Sequence, residues 1–285
     1  MILIADGGST KTHWTLIGST EETIDFHSEG YNPYYVDEPY IVESLKKSLP
    51  ETFRTEDVKE LYFYGAGVHN AEKAAILKRA FQQVFTQAQI EIEHDLLAAC
   101  RALLGHDKGF AAILGTGTNT CLYDGKDITR NIDSAAYILG DEGSGCYMGK
   151  QLLKDIIRDT VPPEIKKNFQ DMYHISEHEI MDNIYTKPLA NRFCASFTKF
   201  FDTNMDSEYC QQLIRSAFRD FFKNLVSLYP GYRELKLNCI GSVAFCFKDI
   251  LASVAAEFGM EMGVILKSPI PGLIRFHRER SAAAV

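Results

Sequence analysis

The sequence predicts an α/β protein made of two related halves, each containing a mixed β-sheet. Strand-like apolar runs alternate with segments of helical periodicity along the 285 residues, a pattern typical of this class. An apolar strand, a loop rich in Gly, Ser and Thr, and a second strand occur at residues 2–17 and again at 110–123. A chance echo of one hairpin is the alternative to a true repeat. The length suits two domains, which we place at 1–104 and 105–267, with the tail 268–285 either separate or returning to the first.

In the first half, short apolar runs that end in glycine or polar residues predict strands, and 3.6-residue spacing predicts helices. The polar stretch at 18–29 and the Gly-Tyr-Asn-Pro sequence at 30–33 predict a loop region. The predicted strands are 2–5, 13–17, 61–64 and 90–93, and the predicted helices are 38–49, 70–86 and 96–104.

The second half contains more helical segments than the first. A Gly/Thr turn at 115–120 separates two of its strands, and the tail at 268–273 is predicted to be irregular. We expect the basic residues beyond the tail to form a solvated helix face or a frayed end. The predicted strands are 110–114, 121–123 and 237–240, and the predicted helices are 149–158, 177–185, 193–201, 208–227 and 247–257.

The charge balance and the cysteines limit the class of function. The chain has 30 Lys and Arg against 38 Asp and Glu, so its net charge is −8. This excludes a chain-wide basic surface for nucleic acid, and an anionic substrate must be met by local donors or a metal ion. Seven cysteines without a C-x-x-C pair indicate reduced thiols. No apolar run is long enough for a membrane span or a signal peptide, so we expect a cytoplasmic location.

The first Gly-rich loop, at 6–12, could hold phosphate groups. Gly7 and Gly8 allow close backbone approach and positive φ, and the amides that follow could form an anion-binding concavity. Lys11 adds a cation. The carboxylate of Asp6 fits beside phosphates only if a Mg²⁺ ion lies between them. The alternative is an ordinary hairpin turn with a solvated lysine.

Two further loops offer donors without charge. Residues 115–120 combine two glycines, three threonines and an asparagine, which can bind phosphate or hydroxyl groups. Gly241 and Ser242 follow a predicted strand and precede a helix, which suits a nucleotide-side loop. A tight hairpin and a plain Gly-Ser turn are the respective alternatives.

Carboxylates occur at two further element boundaries. Asp95 ends a strand and opens a helix, so it is either the helix N-cap or a base placed to accept a hydroxyl proton. Residues 140–145 hold two acids between three glycines, which indicates a functional loop rather than a surface turn.

The sequence H-x-x-E-H at 174–178 matches a zinc-binding pattern. Ser176 and Glu179 form a capping box, however, which predicts that a helix starts between the two histidines. The histidines would then not share a helix face, so we predict no zinc site there.

Four of these motifs occur in the order found in a known family. Residues 6–12 read DGGSTKT, 115–119 read GTGTN, 140–145 read GDEGSG, and 241–244 read GSVA. The chain resembles the BadF/BadG/BcrA/BcrD-type ATPases, above all their N-acetylglucosamine kinase branch, within the actin-like ATPase superfamily. The resemblance spans nearly the whole chain and is more specific for the superfamily than for the substrate.

The resemblance implies two ribonuclease H-like (actin-like ATPase) domains, an active site in the cleft between them, and the use of ATP and Mg²⁺. Asp95 would be the catalytic base and would also contact the acceptor sugar. Asp6 and Asp141 would hold the metal. The implied sugar contacts are Asn32, Gly67, Asn119 and Asp141, and the implied nucleotide contacts are Gly8, Ser9, Thr10, Lys11, Thr116, Gly117, Ser144, Gly241 and Ser242.

Two departures from the family pattern leave the exact sugar open. The loop at 65–67 has no hydroxyl where some relatives offer a serine, and His94 stands where relatives often have Asn or Thr. The implied partners are a small-molecule sugar and a second copy of the chain in a homodimer, with no nucleic acid and no membrane.

The predicted reaction is phosphoryl transfer from ATP to the 6-hydroxyl of N-acetylglucosamine. Glucosamine or another hexose is the alternative acceptor. A second alternative is the ATP-driven activator of a 2-hydroxyacyl-CoA dehydratase, which needs cysteines that hold an iron–sulfur cluster. Cys100 lies near the predicted domain boundary, but the sequence shows no closely matching pair of cysteines. A non-catalytic sugar sensor is the third, although the loops look chemically complete and no DNA-binding segment is evident.

Overall fold

The apolar runs of each half pair into one five-stranded mixed sheet, as the sequence predicts. The structure is a computed structural model that describes residues 1–8, 11–18, 22–34, 36–65, 67–68 and 70–283. One unit of the chain contains Met1–Gly105 together with the residues from Pro269 onward, and the other contains His106–Ser268.

The first sheet has the strand order β3-β2-β1-β4-β5. Strand β2 is antiparallel to both of its neighbours, whereas β1, β4 and β5 run parallel. The strands are β1 (Ile2–Gly7), β2 (Lys11–Ile17), β3 (Thr23–Glu29), β4 (Glu60–Gly65) and β5 (Gln89–His94).

The second sheet repeats this topology, with the order β8-β7-β6-β9-β10. Again the second strand of the chain segment is antiparallel to its neighbours and the other pairs are parallel. The fold class is therefore confirmed, and the repeated hairpin is a structural repeat rather than a chance echo. The strands are β6 (Gly109–Leu114), β7 (Thr118–Tyr123), β8 (Ile128–Asn131), β9 (Lys236–Ile240) and β10 (Glu261–Leu266).

Helices connect and cover the strands of each sheet. The first unit contains α1 (Glu38–Ser48), α2 (Ala71–Val84) and α3 (Asp95–Leu104). The second contains α4 (Ala136–Leu139), α5 (Gly145–Ile157), α6 (Pro163–Tyr173), α7 (Glu177–Tyr185), α8 (Ala190–Ser196), α9 (Thr198–Thr203), α10 (Glu208–Asn224), α11 (Ser242–Cys246) and α12 (Lys248–Glu257). The final helix, α13 (Ile270–Ala283), belongs to the first unit.

The core of the first unit is built around the indole of Trp14. Its ring stacks on Phe26 at a centroid distance of 5.7 Å and meets the edge of Phe81 at 5.5 Å. The buried indole N–H donates to Ser28 Oγ at 2.9 Å, which satisfies the only polar atom of this large side chain. The central residue of β2 is thus held against β3 and α2.

The core of the second unit is larger and lies mainly among β6, α5, α8, α10 and α12. Helices α5 and α8 pack at very short range because Gly149 presents no side chain to the backbone of Cys194. All seven cysteines are reduced, as predicted, and all are buried except Cys246.

The prediction that residues 268–273 are irregular is wrong from Ile270 onward, whereas Arg275 and Arg280 do lie exposed on a helix, as predicted. Residues from Ile270 form α13, which packs on α3 and β1, and Leu273, Phe276 and His277 are buried. The ring of His277 stacks on Tyr62 at 4.0 Å, and its Nε2 lies 2.9 Å from the hydroxyl of Tyr64. Burial lowers the pKa of His277 to about 3, so this histidine is neutral and structural rather than solvated.

Several element boundaries also differ from the prediction. Strand β7 starts at Thr118, so the turn before it is shorter than 115–120. The helix predicted at 193–201 is two helices that meet at the buried Phe197, and α10 ends at Asn224. Strands β3, β8 and β10 and helix α6 were not predicted. The three strands lie at sheet edges, and most of their residues are partly or fully exposed, so they carry little apolar pattern.

The capping box predicted at Ser176 is present, and α7 begins between the two histidines of the zinc-like pattern. His174 ends α6 in a left-handed conformation.

In the described part of the chain, no helix combines the length and apolarity that crossing a bilayer requires.

Candidate functional site

The predicted loops of the first unit meet at the carboxyl ends of its parallel strands. Gly7, Gly65 and His94 occupy one row across β1, β4 and β5. Asp6 immediately precedes Gly7 on β1, and Asp95 directly follows β5. Ligands of open α/β sheets bind at this edge, because loops from neighbouring parallel strands converge there.

Gly7 and Gly65 make room for an aromatic ring rather than for an unusual backbone. A Cβ on Gly7 would stand 2.5 Å from the ring of Phe63, and one on Gly65 would stand 2.4 Å from it. Neither Gly7 nor Gly8 has a positive φ, so neither uses the conformational freedom that glycine allows at this position. The ring of Phe63 therefore lies against the backbone of Gly7 and Gly65 at the carboxyl ends of β1 and β4.

The tip of the first hairpin is closed by a hydrogen bond from the amide of Gly8 to the carbonyl of Lys11, at 3.0 Å. This amide is therefore engaged within the turn, and the cationic side chain of Lys11 remains as a predicted anion contact of this hairpin. The predicted nucleotide contacts Ser9 and Thr10 lie outside the described residues.

Asp95 occupies the first turn of α3, and the N-cap is His94. The Nδ1 atom of His94 accepts from the backbone N–H of Leu97 at 3.3 Å. The alternative reading of Asp95 as the N-cap is therefore wrong, and the capping by His94 leaves the Asp95 carboxylate at a helix N-terminus, where a negative charge is favoured. The side chain of Asp95 is partly exposed.

Asp6 is half-buried at the end of β1. Burial, together with the nearby charge of Asp95, raises the pKa of Asp6 from 3.8 to about 6. Two carboxylates that repel each other fit a divalent cation with oxygen ligands, which would remove the repulsion. Among the described residues no group of three or more His, Cys, Asp or Glu side chains could hold a metal ion.

A testable consequence follows from the charge on Asp6. Between about pH 4 and 6 the folded protein holds a proton that the unfolded chain has released, so stability falls as pH rises through this window. We expect Asp6→Asn to raise the unfolding free energy of the metal-free protein at pH 8 by on the order of 1–3 kcal/mol. The gain should shrink toward pH 4, where Asp6 is protonated.

Urea unfolding at pH 8 and pH 4 checks this prediction. Asp107→Asn is the matched control, since Asp107 is exposed in the first residues of the second unit. A destabilised Asp6→Asn variant at pH 8 would contradict the expected charge penalty.

The structure brings the predicted sugar contacts Asn32 and Gly67 together. Gly67 has φ +83°, and a Cβ there would stand 2.7 Å from Asn32 Oδ1. Asn32 Oδ1 also accepts from the amide of Tyr34 at 3.0 Å, which turns the loop. The two residues form one small polar surface in the first unit.

In the second unit, the hairpin between β6 and β7 is held on the start of α5. The amides of Gly145 and Cys146 donate to the carbonyls of Gly115 and Thr116 at 2.8 and 3.0 Å. These bonds satisfy two orphan N–H groups of the helix and leave the side chain of Thr116 exposed at the tip.

Asp141 anchors this hairpin with one carboxylate oxygen and presents the other. Its Oδ1 accepts from the amide of Thr118 at 3.2 Å and from Ser134 Oγ at 2.7 Å. Its Oδ2 faces Gly117, where a Cβ would stand 2.9 Å away. Among the described residues no donor bonds Oδ2, so this oxygen is available to a ligand. Burial raises the pKa of Asp141.

The backbone around Asp141 is strained. Asp141 has φ 57°, and Ala135 and Ala136 have φ 59° and 52°, values that non-glycine residues rarely adopt. Gly140 is required between them, because a Cβ there would stand 1.9 Å from the carbonyl oxygen of Ser134. Such strain clusters at functional sites.

The remaining predicted nucleotide contacts differ in their surroundings. Ser144 is fully buried, and its Oγ caps α5 by accepting from the amide of Tyr147 at 3.1 Å. Gly241 has φ +126° and lies against the carbonyl of Leu114, at the carboxyl end of β9. Ser242 is exposed at the start of α11. Gly241 and the 115–117 turn therefore share one edge of the second sheet.

Asn119 lies on β7, and its amide is hydrogen bonded to Asn131 on β8. Sequence reasoning missed Asn131 and Ser134, and it named Thr118 only as part of the donor-rich loop at 115–120. The Thr118 hydroxyl donates to the carbonyl of Glu142 at 2.7 Å and ties the hairpin to the 140–145 turn. Only Thr118 gave a signal, as part of a Gly/Thr turn.

Comparisons with known proteins give the following result. No family model matches the chain, and no curated protein matches it. A Porphyromonas gingivalis structure with a provisional assignment as N-acetylglucosamine kinase shares 36% identity and a TM-score of 0.93, over 98% of this chain and 99% of that one.

Two more distant structures share the fold alone. A Chromobacterium violaceum protein with the same provisional assignment has 16% identity and a TM-score of 0.69, over 96% of this chain and 98% of that one. A glucokinase of the ROK family from Streptomyces griseus, in complex with glucose and AMPPNP, has 13% identity and a TM-score of 0.57, over 93% of each chain.

Proposed function

The chain belongs to the same family as the Porphyromonas gingivalis protein provisionally assigned as an N-acetylglucosamine kinase, and on that premise we propose that it is an ATP-dependent sugar kinase. The proposed reaction transfers the γ-phosphoryl group of ATP to the 6-hydroxyl of N-acetylglucosamine. We further assign the chain to the BadF/BadG/BcrA/BcrD-type ATPases.

The proposal rests on the placement of two carboxylates, Asp6 and Asp95, at the same carboxyl edge of the first sheet. A sugar hydroxyl is a weak nucleophile, so its attack on phosphorus benefits from a base that takes its proton. Asp95 is partly exposed, is held at a helix N-terminus and lies near enough to Asp6 for its charge to raise the pKa of Asp6. In the proposed reaction Asp95 accepts the hydroxyl proton while the new O–P bond forms and the bond to ADP breaks.

Positioning of the substrates falls to one lysine, uncharged donors and backbone. Phosphoryl transfer depends mainly on orientation and on neutralising charge. In the proposal, Lys11, Thr116 and Gly117 contact the phosphates, and Gly241 and Ser242 lie on the nucleoside side. Because the chain has a net charge of −8, its overall field repels the anionic phosphates, and local donors are needed to bind them.

The proposed acceptor contacts are Asn32, Gly67, Asn119 and Asp141. We also propose Asp6 and Asp141 as the residues that hold Mg²⁺, either directly or through water. When bound, the ion would neutralise phosphate charge during transfer. A homodimer in the cytoplasm remains part of the proposal.

A coupled ADP-release assay over a panel of sugars tests this proposal. We expect N-acetylglucosamine to give a kcat/KM about tenfold or more above those of glucosamine and glucose, and ³¹P NMR should show a 6-phosphate. Sugar binding without ADP release would favour a sensor. A brown protein with visible absorbance would favour the dehydratase activator.

A further inference from the structure

We infer that Asn131 fixes the amide of Asn119 so that only N–H donors face the ligand, which selects an acceptor oxygen at this point of the sugar. The inference rests on the proposed function, in which Asn119 contacts the acceptor. It adds a positioning residue and a specificity rule to that function.

The orientation of the Asn119 amide follows from one backbone contact. Its Oδ1 lies 3.0 Å from the backbone N–H of Thr120. A backbone N–H can only donate a hydrogen bond, so the side-chain atom that faces it must be the oxygen and not the nitrogen.

Asn131 supplies the second bond to the same oxygen. Its Nδ2 lies 2.9 Å from Asn119 Oδ1 and 2.6 Å from the carbonyl oxygen of Thr120. Both partners are acceptors, so the nitrogen of Asn131 must face them, and both of its hydrogens are used.

The other end of the Asn119 amide is left for a ligand. Both acceptor positions of Oδ1 are filled, and in the described part of the chain Nδ2 of Asn119 has no hydrogen-bond partner. The residue is partly exposed. The site therefore offers two N–H donors and no acceptor from this side chain.

A buried tyrosine holds the two strands that carry this pair. The hydroxyl of Tyr229 accepts from the amide of Ile132 at 2.9 Å and donates to the carbonyl of Thr120 at 3.0 Å. Ile132 directly follows Asn131, so Tyr229 keeps the end of β8 against β7 and preserves the geometry of the asparagine pair.

The donor-only surface discriminates between sugars. A hydroxyl or an acyl carbonyl oxygen has a lone pair for the Asn119 amide. The ammonium group of an unacylated amino sugar has only donors and a positive charge, so it would leave the amide hydrogens unpaired. Placed against the C2 substituent of the sugar, the Asn119 amide should therefore favour acylated over free amino sugars.

Asn131→Asp tests this inference. The new carboxylate would face two acceptors, Asn119 Oδ1 and the Thr120 carbonyl. The Asn119 amide can turn its nitrogen toward that carboxylate only by presenting an NH₂ group to the Thr120 N–H. We expect KM for N-acetylglucosamine to rise about tenfold, with kcat and KM for ATP little changed. The preference over glucosamine should narrow, because an Asn119 oxygen turned outward accepts from ammonium.

Two further variants separate positioning from general damage. Asn131→Ser keeps one donor and should recover part of the loss in KM. Asn183→Asp is the matched control on α7, where Nδ2 donates to the carbonyl of Glu179, and it should leave both KM values unchanged. A parallel rise of both KM values with a lowered melting temperature in Asn131→Asp would overturn the positioning role.

A readout without catalysis separates this inference from the proposed function. In ¹⁵N-labelled protein, the side-chain hydrogens of Asn131 should exchange with D₂O more slowly than those of Asn119, with signals assigned by the Asn→Asp variant at each position. Protected Asn119 hydrogens would overturn the inference, whether or not any sugar is phosphorylated. Absence of turnover and of sugar binding in the wild-type protein would instead overturn the proposed function.

Discussion

Replacing Asp95 by Asn should lower kcat for the sugar by about 10²- to 10⁴-fold, the range typical of losing a general base. Asn keeps the size of the side chain and its place in the first turn of α3, but it cannot accept the hydroxyl proton. Sugar binding measured by calorimetry should change by less than about tenfold, because the amide can still hydrogen bond to the hydroxyl. Steady-state kinetics with N-acetylglucosamine and ATP measure the effect.

Glu91→Gln is the matched control for this variant. Glu91 lies on β5, four residues before Asp95, and pairs loosely with Arg280 at 3.5 Å. It has no place in the proposed chemistry, so its kcat should stay within about twofold of wild type, as expected for a partly exposed ion pair. A kcat for Asp95→Asn close to that of the control would remove Asp95 as the base.

Of the substitutions proposed for this protein, Gly149→Ala should lower the free energy of unfolding the most. The added Cβ would stand 1.9 Å from the carbonyl oxygen of Cys194 and 2.7 Å from its carbonyl carbon. Both neighbours are backbone atoms of α8, so no side-chain rotation can relieve the clash, and α5 and α8 must separate. Overpacking typically costs about 1–3 kcal/mol, and a clash with backbone that cannot rotate away places this variant near the upper end, at about 3 kcal/mol.

The melting temperature of the variant should fall by about 6–12 °C, measured by circular dichroism. Gly18→Ala is the control, because the nearest atom to its added Cβ would be Met1 Sδ at 3.9 Å. That control should stay within about 0.5 kcal/mol of wild type. A Gly149→Ala protein as stable as the control would mean that the two helices are not packed at this distance.

The expected separation of α5 from α8 in Gly149→Ala should also affect the candidate site of the second unit. Helix α5 begins at Gly145, and its first amides hold the carbonyls of the 115–117 turn. Movement of α5 away from α8 would therefore disturb Asp141 and the hairpin, so any folded fraction of the variant should bind ligands more weakly than wild type.

Local patterns were sufficient for much of the fold. Apolar runs and 3.6-residue spacing predict the central strands and the longer helices, because buried elements carry a strong pattern. They fail for β3, in which only Phe26 and Ser28 are buried, since an exposed edge strand has little apolar signal. They also fail for α13, whose buried face depends on partners such as Tyr64, 213 residues away from His277.

The chain alone determined the chemical inventory of the protein: the Gly-rich loops, the carboxylates at Asp6, Asp95 and Asp141, and the repeated hairpin. Only the tertiary structure decided how these residues act. Parallel strand register brings Asp6 and Asp95 to the same edge of the first sheet, and pairing of β7 with β8 brings Asn131 within hydrogen-bond distance of Asn119. The physical reason is that the orientation of a polar side chain depends on the hydrogen-bond partners and burial that distant segments provide, and those are created only when the sheets form.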